Sequence, residues 1–291
     1  MQVRLADHFG MCFGVRDAID LALDLTQQGP LTILGDLVHN PDVVARIDAA
    51  GAVRVKEQDE IHTPSVLLTA HGVADRVRQE LHQRGLAVHD ATCPLVTRAH
   101  RALARLVAEG RHPVVIGQPH HVEVRGLVGD LDNYTIIQDE SDLGQLTARV
   151  EREPTLRLGV VSQTTQPLER VLKLVEAMRQ RLPRTDIHFI DTVCQPTKDR
   201  QQALRDLAAQ TDVVVVVGGP DSNNSRKLTE LARQLGRPAY QVANASQLRG
   251  YPSINETCSS PRASSKRSAS VKTCLRMVPP VRVRRWVARR G

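Results

Sequence analysis

The chain has 291 residues, 41% hydrophobic and 24% charged, enough for about two domains and a full core without a disulfide scaffold. Aromatic residues are only 2%, which leaves little for base-stacking platforms, and the longest apolar run, 213–217, has strand length, so no membrane span is expected. The net charge of +7 would suit a polyanion, but ten Lys/Arg against the single acid Glu256 give residues 252–291 a net +9 and leave 1–251 at −2, so no nucleic-acid partner is expected.

From the start to about residue 250 one grammar repeats: a short β-branched run, a turn, then an amphipathic helix. The run at 31–34 predicts a strand and 43–50 a helix ended by Gly51. A strand at 66–69 precedes a helix over 74–84 that stops at Gly85. Residues 86–90 lead into a helix over 96–109, closed by Gly110. Strands follow at 114–116, 135–137 and 158–161. A long helix over 168–181 has Pro167 at its first turn and Pro183 beyond its end. Strands at 187–190 and 213–217 flank a helix over 198–210, and a last unit holds a helix over 226–235, Gly236 and a strand at 240–242. Strands alternating with helices, several apolar throughout, predict an α/β fold with mainly parallel sheets. Residues 251–291 break this grammar, with six serines in 259–270 and abundant Arg, and read as disordered or as not the original end of the fold.

Ligands of open α/β sheets collect at the carboxyl ends of strands, where turns and helix N-termini leave backbone N–H groups free. Unusual polar residues fall there repeatedly: His39, His71, Cys93, His121 with Glu123, Thr164 with Thr165, Cys194, and Ser222, Asn223 and Asn224. Their common register predicts one shared pocket. Cys12, Cys93 and Cys194 lie 81 and 101 residues apart, too far for a local clip. Structural zinc is disfavoured, because its ligands come in close pairs. Buried apolar fillers fit this spacing, and so do three thiolates on an iron–sulfur cluster that leave one iron open to a substrate oxygen. Spacing alone leaves both readings open. His39, His71 and His121, with Ser222 and Asn224, offer donors suited to a phosphate-rich anion, although each histidine could instead satisfy a turn. Neither the glycine fingerprint of dinucleotide sites nor that of P-loops is present.

In order, the chain carries Met11-Cys12-Phe13-Gly14-Val15, Val38-His39-Asn40, Ala70-His71-Gly72-Val73 and Asp90-Ala91-Thr92-Cys93-Pro94-Leu95-Val96. It continues with His121-Val122-Glu123-Val124, Ser162-Gln163-Thr164-Thr165, Asp191-Thr192-Val193-Cys194 and Ser222-Asn223-Asn224. Together, over about residues 1–250, these segments closely resemble the 4-hydroxy-3-methylbut-2-enyl diphosphate reductases. The resemblance implies three small α/β domains in a cloverleaf around a central 4Fe-4S cluster: 13–93, 94–190, and 1–12 with 191–250, the third incomplete. It implies Cys12, Cys93 and Cys194 as ligands, with one open iron. It further implies reductive dehydroxylation of an allylic diphosphate to isopentenyl and dimethylallyl diphosphate, with electrons from a ferredoxin or flavodoxin-type donor. An N-terminus without a signal or transit pattern leads to the expectation of a bacterial cytoplasm. By the same resemblance Glu123 supplies protons, Thr164 relays or orients them, and His121 serves both the proton network and the diphosphate. His39, His71, Ser222, Asn223 and Asn224 complete the diphosphate site.

Three departures from that family stand out. Asn223 occupies a position where many relatives carry serine, and Val122 replaces a common proline, which would loosen the loop holding His121 and Glu123. The third departure is the tail, which lacks the family's terminal small-residue serine motif and has the composition of a frameshifted end. A damaged or non-catalytic relative that still binds a cluster is therefore the alternative reading.

Overall fold

The protein is described by a computed structural model that covers residues 2–244, 246 and 247. The expectations for 251–291, including Cys258 and Cys274, lie outside the described residues. Three parallel sheets organise the chain. The first comprises β1 (Leu31–Leu34), β2 (Val53–Val55), β3 (Ser65–Leu68) and β4 (Ala87–Asp90), in the order β2-β1-β3-β4. Its helices are α1 (Phe13–Thr26), α2 (Pro41–Ala49) and α3 (Asp75–Gln83). Then α4 (Pro94–Ala108) leaves this unit and packs on the second sheet. That sheet comprises β5 (His112–Ile116), β6 (Thr135–Ile137), β7 (Leu158–Ser162) and β8 (Ile187–Phe189), in the order β6-β5-β7-β8. It carries α5 (Val122–Val128), α6 (Leu143–Arg152) and α7 (Leu168–Arg181). Next, α8 (Gln195–Gln210) crosses to a third unit, where it packs beside α9 (Asn223–Gln234) and the paired strands β9 (Val214–Val217) and β10 (Ala239–Val242).

The register explains why functional residues gather on one edge of each sheet. Leu34 stands opposite Leu68, and Leu68 opposite Asp90, so three strands of the first sheet end level. Ile116 and Ser162 do the same in the second. The central strands β1, β5 and β7 are buried at every position, as expected of strands covered by helices on both faces. Helix α1 seats Ala18, Ile19, Ala22 and Leu25 against Leu31 and Ile33. Helix α4 seats Ala99, Leu103 and Leu106 against Val115 and Val161. In the third unit Leu204 and Ala208 of α8 meet Val214, Leu228 and Leu231. Among the described residues this third sheet has two strands, and Val215 and Val217 of β9 are exposed.

Four elements go beyond the sequence reading: α1, α5, α6 and β2. Helix α1 buries Gly14, Ala18, Ile19, Ala22 and Leu25, a helical period blurred by the further apolar residues Phe13, Val15, Leu21 and Leu23. Only seven residues long, α5 contains Gly126 and three valines, so neither propensity nor period marks it. Strand β2 is a three-residue edge with an exposed Val53. The helix expected from 226 begins earlier, at Asn223. No helix among the described residues is long and apolar enough to cross a membrane.

Candidate active site at the junction of the three units

Each of the three cysteines stands at the N-cap of a helix: Cys12 before α1, Cys93 before α4 and Cys194 before α8. None of their side chains is spent on capping. Free N–H groups and the positive helix ends therefore face the sulfurs, which favours sulfur in its anionic form. Proline in the first turn of α4 and of α8 fixes the entry of the chain into both helices. As free thiols, Cys93 and Cys194 are pushed above the usual range, chiefly by burial. The Leu95 and Val96 backbone pulls Cys93 down, and Thr197, whose Oγ1 lies 3.0 Å from Cys194 Sγ, does the same for Cys194. Cys12 and Glu123 both raise each of these two thiols, so the sulfurs share a field with one carboxyl. Gly14 leaves the space that Cys93 occupies: a Cβ there would stand 2.5 Å from Cys93 Sγ.

The histidines form a second cluster. His39 follows β1, His71 follows β3, and His121 caps α5 and accepts the Glu123 N–H on Nδ1 at 3.2 Å. Their ring centroids lie 4.6 Å (His39–His71), 5.7 Å (His39–His121) and 5.7 Å (His71–His121) apart. Burial depresses all three, His71 to about 3 and His121 to about 4, and each of these two is lowered further by the proximity of His39. The rings are thus neutral at neutral pH. His39 Nε2 and His71 Nδ1 are buried without a hydrogen-bond partner among the described residues, a costly state that an incoming ligand would relieve.

Glu123 lies between the two clusters, in the first turn of α5 and only 2% exposed. Its Oε1 accepts the Thr164 N–H at 2.6 Å. Burial pushes its carboxyl up to about 7, against the opposing pull of the Thr164 N–H and side chain. Thr164 itself is 3% exposed. The sequence placed His121 and Glu123 in a loop, whereas the structure gives them a helix N-terminus.

The third unit closes the site through the β9–α9 turn. Gly219 packs so tightly on the His39 turn that a Cβ would stand 2.1 Å from the His39 carbonyl oxygen. Ser222 caps α9 and accepts the Ser225 N–H at 3.3 Å. Asn223 is 2% exposed and donates from Nδ2 to Thr165 Oγ1 at 2.8 Å. Asn224 follows in the first turn of α9, half-buried. Arg226 donates to Gln118 Oε1 at 3.1 Å. The sequence reading gave no role to Gln118, Gln163, Gln166, Gln201 or Arg226. Gln163 lies inside one of the segments that carry the resemblance; for the others only tertiary pairing reveals a part in the site. Among the described residues no three His, Cys, Asp or Glu side chains stand close enough to hold a single metal ion.

Residues 3–272 match the family model described as LytB protein. The chain belongs to the LytB family. A relative of this LytB chain in Acinetobacter baumannii, named 4-hydroxy-3-methylbut-2-enyl diphosphate reductase, is 39% identical over 267 residues, covering 89% of this chain and 83% of that protein. The enzyme of the same name in Chromohalobacter salexigens is 38% identical over 258 residues, covering 86% of this chain and 80% of its own length. Among solved structures, an (E)-4-hydroxy-3-methyl-but-2-enyl diphosphate reductase, called the terminal enzyme of the non-mevalonate pathway, aligns with TM-score 0.62 at 31% identity, covering 84% of this chain and 86% of the other. The Plasmodium falciparum E-1-hydroxy-2-methyl-but-2-enyl-4-diphosphate reductase shares the fold with TM-score 0.76 at 24% identity, over 84% of this chain and 78% of the other. The LytB fold of three α/β units is thus the fold seen here.

Proposed function

We propose that this LytB chain reduces (E)-4-hydroxy-3-methylbut-2-enyl diphosphate to isopentenyl and dimethylallyl diphosphate. The allylic C–O bond breaks, two electrons and two protons are taken up, and the oxygen leaves as water. The observation that carries the reading is the gathering of three thiols at helix N-caps, three neutral imidazoles and one buried carboxyl pushed up to about 7 at one junction. Cys12, Cys93 and Cys194 would hold a 4Fe-4S cluster. One feature supports the fit: all three thiols sit at the N-termini of helices, where the positive helix ends favour thiolate. When bound, such a cluster supplies single electrons and an iron without a thiolate that polarises the allylic hydroxyl. Holding it would require Cys93 and Cys194 to give up protons that burial otherwise keeps on their thiols.

The chain's own residues do the rest. His39, His71 and His121, with Ser222 and Asn224, hold the diphosphate, and the unpartnered His39 Nε2 and His71 Nδ1 gain partners on binding. Asn223 lies beside them with its Nδ2 spent on Thr165. With its carboxyl pushed up to about 7, Glu123 is protonated in much of the population at neutral pH and able to give a proton. Thr164 fixes that carboxyl through its N–H and places a hydroxyl beside it. Burial of both residues excludes water from the transfer. A ferredoxin or flavodoxin-type protein would deliver the electrons.

The decisive experiment is anaerobic purification and reconstitution of the full chain. A brown protein with cluster absorbance that consumes an artificial reductant only when the allylic diphosphate is present is expected. Colourless protein after reconstitution, or a Cys93→Ser variant with an unaltered cluster spectrum, overturns the assignment.

A further inference from the structure

Thr165 is held in an unusual way. Its Oγ1 accepts Asn223 Nδ2–H at 2.8 Å and Gln163 Nε2–H at 3.3 Å. A hydroxyl has two lone pairs and one proton, so with both lone pairs engaged its hydrogen is left to be donated to a third group. Neither amide can be turned round. Gln163 Oε1 accepts the backbone N–H of Gln118 at 3.2 Å and the Gln166 side-chain amide at 2.9 Å, which fixes its oxygen and aims its nitrogen at Thr165. Asn223 Nδ2 also faces the Thr165 carbonyl at 3.4 Å, and that oxygen accepts only donors. Asn223 Oδ1 is consequently left over, buried and without a partner among the described residues.

The same amide joins two units. Asn223 opens α9 in the third unit, whereas Thr165 lies in the turn after β7 of the second, beside the Thr164 that holds Glu123. Gln201 of α8 reinforces the contact, donating to the Gln166 carbonyl at 3.3 Å and accepting the Leu168 N–H at 3.3 Å. We propose that Asn223 is a positioning residue: it latches the third unit onto the β7 turn before any ligand arrives, and it turns the Thr165 hydroxyl into a committed donor toward the anionic ligand. The ligand half of this inference rests on the diphosphate reading above. The latch half rests on the amide geometry alone. A serine at 223, shorter by one heavy atom and with one proton to give, cannot bond the Thr165 hydroxyl and carbonyl as the amide does. Its introduction frees Thr165 to rotate.

The test uses the full chain without cluster or turnover. Hydrogen–deuterium exchange is measured over 163–166 and 219–226, and the affinity for inorganic diphosphate by calorimetry, for wild type, Asn223→Ser, Thr165→Val and the double variant. Each single variant is expected to speed exchange in 219–226 and to weaken diphosphate binding by about five- to tenfold, the size of one lost hydrogen bond. The double variant is expected to lose no more than either single, because both remove one interaction. Thr165→Ser, which keeps the hydroxyl, restores slow exchange and tight binding. Unchanged exchange in Asn223→Ser, or losses that multiply in the double variant, overturn the proposal. Should Asn223→Ser fail to fold, the Thr165 pair decides: equal behaviour of Val and Ser overturns it. Slow exchange and diphosphate binding in a protein that never turns over the allylic diphosphate would sink the reductase reading and leave the latch standing.

Discussion

The first and second sheets are the same scaffold used twice. Each has four parallel strands with the second strand at one edge, the first beside it, then the third and fourth. Carboxyl ends of the first, third and fourth strands carry His39, His71 and Cys93 in one unit, and His121 with Glu123, Thr164 and Cys194 in the other. Topology thus sets where a polar residue stands, while burial sets what it does there. In the first unit desolvation lowers His71 to about 3; in the second the same desolvation raises Glu123 to about 7. One cause drives opposite shifts, because burial penalises whichever form is charged. The result is a neutral imidazole set suited to an anion beside a carboxyl that keeps its proton in much of the population at neutral pH.

If the two units are equivalent in their cluster role, Cys93→Ser and Cys194→Ser must fail alike. Both are expected to lose cluster absorbance and abolish turnover, and a fully loaded, active Cys194→Ser protein would break the correspondence. The units should then separate in their chemistry. Glu123→Gln is expected to lower kcat by about 10²- to 10⁴-fold with little change in diphosphate affinity. In the other unit His71→Asn is expected to raise KM about tenfold or more while kcat holds within a small factor. Steady-state kinetics of the two variants decide it, and a swap of the two patterns would overturn the division of labour.

The opposite shifts also predict opposite pH slopes of stability in the cluster-free protein. Glu123 binds its proton more tightly folded than unfolded, so its favourable contribution is complete below about 4.5 and declines as pH rises through about 7, on the order of 3 kcal/mol in total. His71 acts the other way: its folded value lies below 6.5, so stability falls as pH drops from about 6.5 toward about 3. Chemical unfolding from pH 4 to 8 should show Glu123→Gln lacking the decline between about pH 4.5 and 7. A variant that keeps this decline would assign it to another group.

Much of this division was legible before any coordinates. Strands β1, β3, β5 and β7 are short apolar runs between helical patterns, and residues at their ends read as ligands because strand ends are where parallel sheets bind. The helix entries at Cys12 and His121 were not legible. Phe13, Val15, Leu21 and Leu23 blur the apolar stripe of α1, and α5 is too short and valine-rich to show a period. Nor could spacing choose between filler and ligand for the cysteines. The helix N-termini that hold Cys12, Cys93 and Cys194 lie 81 and 101 residues apart in the chain, and no local pattern encodes how such segments pack. The Asn223–Thr165 pair spans 58 residues and was hidden for the same reason.

The smallest predicted effect tests how firmly the second unit presents its acid. Val122 was expected to loosen a loop, but it is the first residue of α5, and His121 before it has φ −73° and ψ 137°. That is the extended conformation a residue preceding proline prefers, and proline suits the first helical position because the N–H there has no partner within the helix. Restoring proline therefore asks for no rearrangement of His121 or Glu123. Its benefit would come from the unfolded chain, which loses conformational freedom when φ is fixed, and amounts to about 0.4–1 kcal/mol. Val122→Pro is expected to raise the apparent Tm by about 1–3 °C with kcat unchanged. A lower Tm would mean that Val122 packing in the half-buried first turn of α5 outweighs the entropy. A lower kcat would mean that the Glu123 carboxyl depends on freedom at the helix entry, and the rigid presentation inferred for the second unit would have to be given up.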